Sequence, residues 1–219
     1  MNLEELEQEL DVIIQEASLK PHFRTWLNQA VEEVAADFHL PGLKLLEPHP
    51  LPVSTDKWLY DLPENFHKEV FRVRRGNMEP VALLRTMADL DRLDPDHDEL
   101  GPQVTRAAAE AGRIGVFPKA DDTLWLWYWR KPTPMERPQD EPDGIPPAFH
   151  YRVLIPKVVI KNFKLLQDLM VQPPHPSLAW WQEEYRSGLF GSPRGDIGMI
   201  NFFARAKGPR RHGGRDPLP

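Results

Sequence analysis

The chain has 219 residues, 41% of them hydrophobic, with 24 prolines, no cysteine and a net charge of −6. That length supports a real hydrophobic core, while the missing cysteine excludes a disulfide framework, a thiolate zinc site, an iron–sulfur cluster and a cysteine nucleophile. The acidic opening is unlike a signal peptide, no apolar run approaches the ~20 residues of a membrane span, and the negative charge argues against a protein that coats nucleic acid.

Leu3, Leu6, Leu10, Ile13, Ile14 and Ala17 recur at helical spacing, with acids between them, and predict an amphipathic helix that ends near Ser18–Lys20. Phe23, Trp26, Leu27, Ala30, Val34 and Phe38 predict a second helix, stopped by Pro41 and Gly42. The short break at Pro21 suggests that the two pack as an antiparallel hairpin. Residues 41–56, with prolines at 41, 48, 50 and 52, read as an extended crossing segment.

Beta-type sequence follows. Trp58, Tyr60 and Leu62 alternate with polar residues. Val70 to Arg75 predicts a strand before a turn at Gly76–Asn77, with Val81–Leu84 as its partner. Thr86 is placed to cap a short helix, Met87–Leu93, ended by Pro95. Arg113–Phe117 and Thr123–Arg130 are predicted to form a hairpin around the turn Pro118–Asp122. Residues 131–147 read as a proline-rich loop. A helix begins near Pro147, with Pro156 kinking it or splitting off its first turn. Pro173, Pro174 and Pro176 separate it from a last helix, Ser177 to about Ser187.

Charge is uneven. Residues 1–40 hold nine carboxylates against Lys20 and Arg24, whereas from Gly191 onward six cations face Asp196 and Asp216. An acidic head and a basic tail suggest two surfaces with different partners, against the plainer reading of a solvated helix face and a frayed tail.

Catalytic signals are weak. Asp94, Asp96 and Asp98 resemble the start of a calcium loop, but Glu99 replaces the glycine and Thr105 the terminal glutamate, so a solvated acidic loop is expected. The eight histidines show no metal-ligand spacing. No nucleophile elbow, phosphate loop or dinucleotide fingerprint is present. Glu183 and Glu184 are adjacent on a helix and point apart. No catalytic, cofactor-binding or metal-ligating residue is assigned, and no cofactor is expected.

Trp125, Trp127 and Trp129 share one strand face; Leu124, Leu126 and Tyr128 share the other. Stacked aromatics can bind single-stranded nucleic acid, but Arg130 and Lys131 are the only cations close in sequence. A core or subunit-interface strand is the better reading.

The order of these elements carries a resemblance. Leu62-Pro63-Glu64-Asn65-Phe66 leads into a strand, and Leu90-Asp91-Arg92-Leu93-Asp94-Pro95 ends a short helix. Tyr128-Trp129-Arg130-Lys131-Pro132 closes the strand pair. Ile145-Pro146-Pro147-Ala148-Phe149-His150 opens a helix. Across roughly residues 55–170 this pattern resembles the head-to-tail adaptor (connector) proteins of tailed bacteriophages and related gene transfer particles. The proline-rich segments 41–56 and 131–147 are longer than the pattern requires.

The resemblance implies an α+β fold. It would be a helical bundle, from the helix pair 1–40 and the helices 147–187, with a small antiparallel β subdomain inserted over 41–146 and an extended tail over 188–219. It implies a virion structural protein, not an enzyme, made in the host cytoplasm and located in the neck of the particle. The protein would form a homo-oligomeric ring, commonly of twelve copies, docked beneath the portal protein. The ring would extend the channel for double-stranded DNA, without sequence-specific binding, and present a platform to stopper or tail proteins.

Portal binding is then expected from Ile197, Met199, Ile200, Phe202, Phe203, Arg205, Arg210 and Arg211, in a tail that orders only on docking. Channel lining is expected from Glu4, Glu5, Glu7 and Glu9, whose charge would repel phosphates, and the subunit interface from Trp125, Trp127 and Trp129. The competing classes are another neck or tail-tube component such as a terminator, a DNA-binding regulator using the basic tail, and an enzyme with a dispersed site.

Overall fold

A computed structural model describes residues 1–168, 177–192 and 195–206. The chain divides into two compact units, one of Met1–Asp37 with Pro132–Pro219 and one of Phe38–Lys131. Among the described residues the helices are α1 (Leu3–Ile14), α2 (Lys20–Asp37), α3 (Met87–Asp91), α4 (Ile155–Asp168), α5 (Leu178–Phe190) and α6 (Met199–Ala206). The strands are β1 (His49–Val53), β2 (Leu59–Asp61), β3 (Phe66–Arg74), β4 (Pro80–Leu84), β5 (Arg106–Glu110), β6 (Arg113–Phe117) and β7 (Asp122–Arg130).

The helical unit follows the apolar stripes of its sequence. Asn2 and Glu5 cap α1 reciprocally: the Glu5 N–H donates to Asn2 Oδ1 (2.9 Å) and the Asn2 N–H to Glu5 Oε2 (3.0 Å). Leu3, Leu6, Leu10 and Ile14 are buried along one side of α1, and Phe23, Leu27, Ala30 and Val34 along α2. The first helix stops at Ile14, earlier than its sequence suggests, where Gln15 takes a left-handed conformation (φ 55°). Pro21 lies in the first turn of α2, where its missing N–H costs nothing. The expected split at Pro156 takes the form of a π-helical segment, His150–Leu154, that runs into α4.

The β unit corrects the expected fold class. In place of a helical bundle with a small antiparallel subdomain, the chain holds a seven-stranded mixed sheet, nearly closed and barrel-like, in the order β1-β7-β3-β4-β5-β6-β2. Val53, Val73, Val81, Ile114, Leu124, Leu126 and Tyr128 lie in its core. The strand β5, of three alanines, gave no strand signal. It forms because β4 pairs it in parallel and β6 in antiparallel register, burying Ala107 and Ala108 completely.

The predicted hairpin is also overturned. β6 pairs with β5 and β2, β7 pairs with β1 and β3, and the two do not pair with each other. Turn chemistry between two strand-like runs was a local cue, and pairing is decided by which edges bury the inner residues. The β3–β4 pair stands as expected, with Val73 opposite Val81.

The tail expected to be extended is folded in its first part. Gly188 and Leu189 belong to α5, and Gly191 bridges to Ile197 before α6 begins. Leu189 is 3% exposed and Met199 0%, so this segment contributes to the core of the helical unit.

Candidate functional site

The outer face of the sheet carries the most distinctive surface. The alternation of β7 sends Leu124, Leu126 and Tyr128 inward, all fully buried, and Trp125, Trp127 and Trp129 outward, partly exposed. The register of β3 then sets a cation opposite each indole: Arg74 faces Trp125, Arg72 faces Trp127, and Lys68 faces Trp129. These cations lie more than 50 residues earlier in the sequence, so nothing local to β7 points to them.

Each indole is held differently. The Arg72 guanidinium lies 5.5 Å from the centre of the Trp127 ring, within cation–π range. Trp127 Nε1–H donates to the Leu46 carbonyl (3.3 Å). Trp129 contacts the rings of His39 and Phe71, with Lys44 Nζ 4.5 Å above Phe71. Lys68 Nζ donates to the Phe38 carbonyl (2.7 Å). Trp125 Nε1–H is buried with no acceptor among the described residues. Three register shifts along β3, with Glu69 at φ 43°, give this strand its extra residues relative to β7.

The expected acidic group does not act as one row. Glu7 turns toward Arg24 of α2 (3.8 Å), and Glu5 is committed to the cap of α1. Glu4, Gln8 and Val12 follow one another at i, i+4 spacing along the exposed side, with Glu9 beside them. Val12 is 67% exposed, a large apolar side chain on an otherwise acidic surface. Nearby, burial and the charges of Glu9 and Glu184 push the Tyr151 hydroxyl up from its usual pKa, and Tyr151 is itself 45% exposed.

The residues expected to bind a portal separate into two sets. Met199 is buried, and Phe202 packs on Phe149 at 5.5 Å and on Phe203 at 5.9 Å. Ile197 and Phe202 remain 38% and 43% exposed, and Ile200 is half-buried. Arg205 falls within α6, and Arg210 and Arg211 lie outside the described residues.

The aspartate loop has a structural explanation. Asp94 Oδ2 accepts from the Glu99 N–H (2.9 Å), and this bond, with others from the backbone of Asp98 and His97, holds its carboxyl below the usual range. His97 stacks on Trp58, with ring centres 3.6 Å apart, and bonds Asp91 at 3.0 Å. A pocket of ≈ 380 Å³ opens where β3 departs from β4, lined by Phe71, Leu83, Leu84 and Ala109 with Glu69 and Arg85 at its edge. Among the described residues no cluster of three His, Asp or Glu could hold a metal ion, and no helix is long and apolar enough to cross a membrane.

The short motifs noted in the sequence prove to be joints. His150 is fully buried, and its Nε2–H donates to the Ile145 carbonyl (2.7 Å), so the first and last residues of that motif bond each other. Across residues 1–189 the chain matches the family model described as SU10 adaptor protein. The chain belongs to the SU10 adaptor family. This is a family of phage head-to-tail adaptors, structural and not enzymatic, and membership places the chain among the components of the virion neck. The resemblance read from the short motifs therefore names the right family, and adaptor membership implies contacts with other virion components. Comparison with curated proteins gave no match.

Proposed function

We propose that this adaptor forms a ring of about twelve copies beneath the portal, as its family resemblance suggests. The ring extends the DNA channel and gives stopper or tail proteins their platform. The observation that carries this reading is the family match over residues 1–189. The matched residues include the whole sheet and its tryptophan face, and α5 to Leu189.

In this reading the tryptophan face belongs to the subunit interface. Large indoles beside arginine are the side chains that supply most of the binding energy at protein contacts. The exposed residues around α6, Ile197 and Phe202, face the portal together with the basic residues that follow. Duplex DNA passes through the ring without sequence readout.

Electron microscopy of the chain mixed with the portal protein of the same particle tests the proposal, with the chain alone as control. A ring stacked on the portal supports it and gives the symmetry directly. Free portals beside folded, unattached chain move the assignment to a tail-side component.

A further inference from the structure

The sheet face and the first helix are complementary in charge and in shape of side chain. Arg72 is exposed and Arg74 partly so, and neither has a carboxylate partner among the described residues. Glu4 and Glu9 likewise have no cationic partner among the described residues, and they precede the exposed Val12 by two turns and by one turn of the same helix. One surface offers flat indoles with guanidinium groups, the other carboxylates that lead along the helix to an apolar side chain. Such pairing of rim charges around an apolar centre is what protein contacts use for register and encounter.

We propose that the Trp127–Arg72–Arg74 face of one copy docks on the outward face of α1, at Glu4, Val12 and Glu9, of a second copy. This rests on the ring reading above and names the two halves of its interface. The two surfaces differ, so the contact is heterologous, and repetition of it closes a ring when the rotation per copy divides a full turn. Glu4 and Glu9 then face a neighbour, in place of the channel-lining role expected from sequence.

A nucleic acid is the less favoured occupant of the arginine face. Arg72 lies over the Trp127 ring, and His39 and Phe71 contact Trp129, so two of the three indoles already have neighbours where a base would stack. The acidic partner surface needed for a protein contact is present on the same chain.

Charge exchange tests the pairing. Arg72→Glu with Arg74→Glu, and separately Glu4→Lys with Glu9→Lys, are compared with the unchanged chain by sedimentation at low salt up to high protein concentration. Each reversal is expected to weaken self-association at least tenfold, and an equimolar mixture of the two variants to recover it. Arg72→Gln, a milder change at an exposed position, should weaken association less and leave the melting temperature unchanged. Unaltered association in both reversals, or no recovery in the mixture, overturns the proposal.

A second readout covers assembly that occurs only on the portal. The chain has no cysteine, so Arg72→Cys and Glu9→Cys chains, mixed on the portal, offer a bismaleimide only the intended thiols. A crosslink between unlike chains supports the contact, and its absence from portal-bound rings refutes it while leaving the adaptor reading intact. Failure of the unchanged chain to dock, with the crosslink formed in solution, refutes the adaptor reading and keeps the contact. Duplex DNA binding that Arg72→Glu abolishes, with self-association untouched, assigns the face to nucleic acid and overturns the proposal.

Discussion

The hydroxyl of Tyr128, at the core of the sheet, donates to Asn65 Oδ1 at 2.6 Å, and the Asn65 carbonyl accepts from the Lys131 N–H at 2.7 Å. Asn65 thereby ties the segment that leads into β3 to the end of β7. Two sequence motifs more than sixty residues apart are one joint in the fold. Replacing Tyr128 by Phe removes that donor, and the amide of the exposed Asn65 loses its tie to the core. A loss of about 1 kcal/mol is expected, read from urea unfolding, with the unfolding slope unchanged.

Tyr185 should respond in the opposite way. Its hydroxyl is buried with no partner among the described residues, and burial together with the charges of Asp37 and Glu33 pushes its pKa up to about 12. Phe at this position keeps the ring beneath Lys157, whose Nζ lies 5.3 Å from its centre. The variant is expected to melt at the same temperature as the unchanged chain or above it. A drop of several degrees would mean that the hydroxyl has a partner.

His150 sets a pH dependence. Burial holds its pKa below the usual value near 6.5, outweighing the bonds to Ile145 and Met1 that favour the charged ring. The unfolded chain then takes up this proton at higher pH than the folded one. The stability from a neutral His150 is full above about 6.5 and is lost as pH falls from there toward the lowered folded value. Melting curves between pH 7.5 and 5.5 should show a smaller decline for His150→Gln than for the unchanged chain. Parallel declines would assign the effect to other groups.

Gly188 marks a close approach between backbones. A Cβ at this position would lie 2.3 Å from the Arg152 carbonyl oxygen. In an open helix Gly→Ala gains roughly 1 kcal/mol, but here it must push α5 from the π-helical segment it packs on. Gly188→Ala is expected to destabilise the helical unit by about 2 kcal/mol, measured by thermal unfolding. A stabilised variant would show that this packing yields easily.

Truncation separates the buried part of the C-terminal segment from the residues after it. Ending the chain after Ser187 removes buried Leu189 and Met199, so the helical unit should lose cooperative unfolding. Ending it after Ala206 spares them and should preserve both melting temperature and helix content. The second truncation is therefore the one that tests the proposed portal docking.

Periodicity made α1 and α2 legible: Leu3, Leu6, Leu10 and Ile14 of the first stripe are buried, as are Phe23, Trp26, Leu27, Ala30 and Val34 of the second, whereas α5 buries Trp181 and leaves Trp180 exposed. Alternation likewise sorted the two faces of β7. The sheet as a whole was not legible, because its order depends on edges that meet across long stretches of chain. Ala107 and Ala108 carry no strand signal of their own and become strand only where β4 and β6 enclose them, and the Pro118–Asp122 turn looked like a hairpin although its strands join different neighbours. The tryptophan face was visible, but the cations opposite it were not, since Arg72 and Arg74 meet β7 only through register. The four glutamates of α1 seemed alike in sequence, and only contacts distinguish Glu5 as a cap and Glu7 as the partner of Arg24.

The β unit begins at Phe38 and ends at Lys131, and Lys44 bridges to Trp129 within it. Its entry and exit strands are thus neighbours, and its core is its own. Residues 38–131 expressed alone should give a dispersed amide spectrum, and a collapsed one would show that the unit depends on the helices. A block inserted through adjacent ends can be exchanged for another without rethreading its host, so this unit can change as a whole while the helices on either side of it in the sequence are inherited intact.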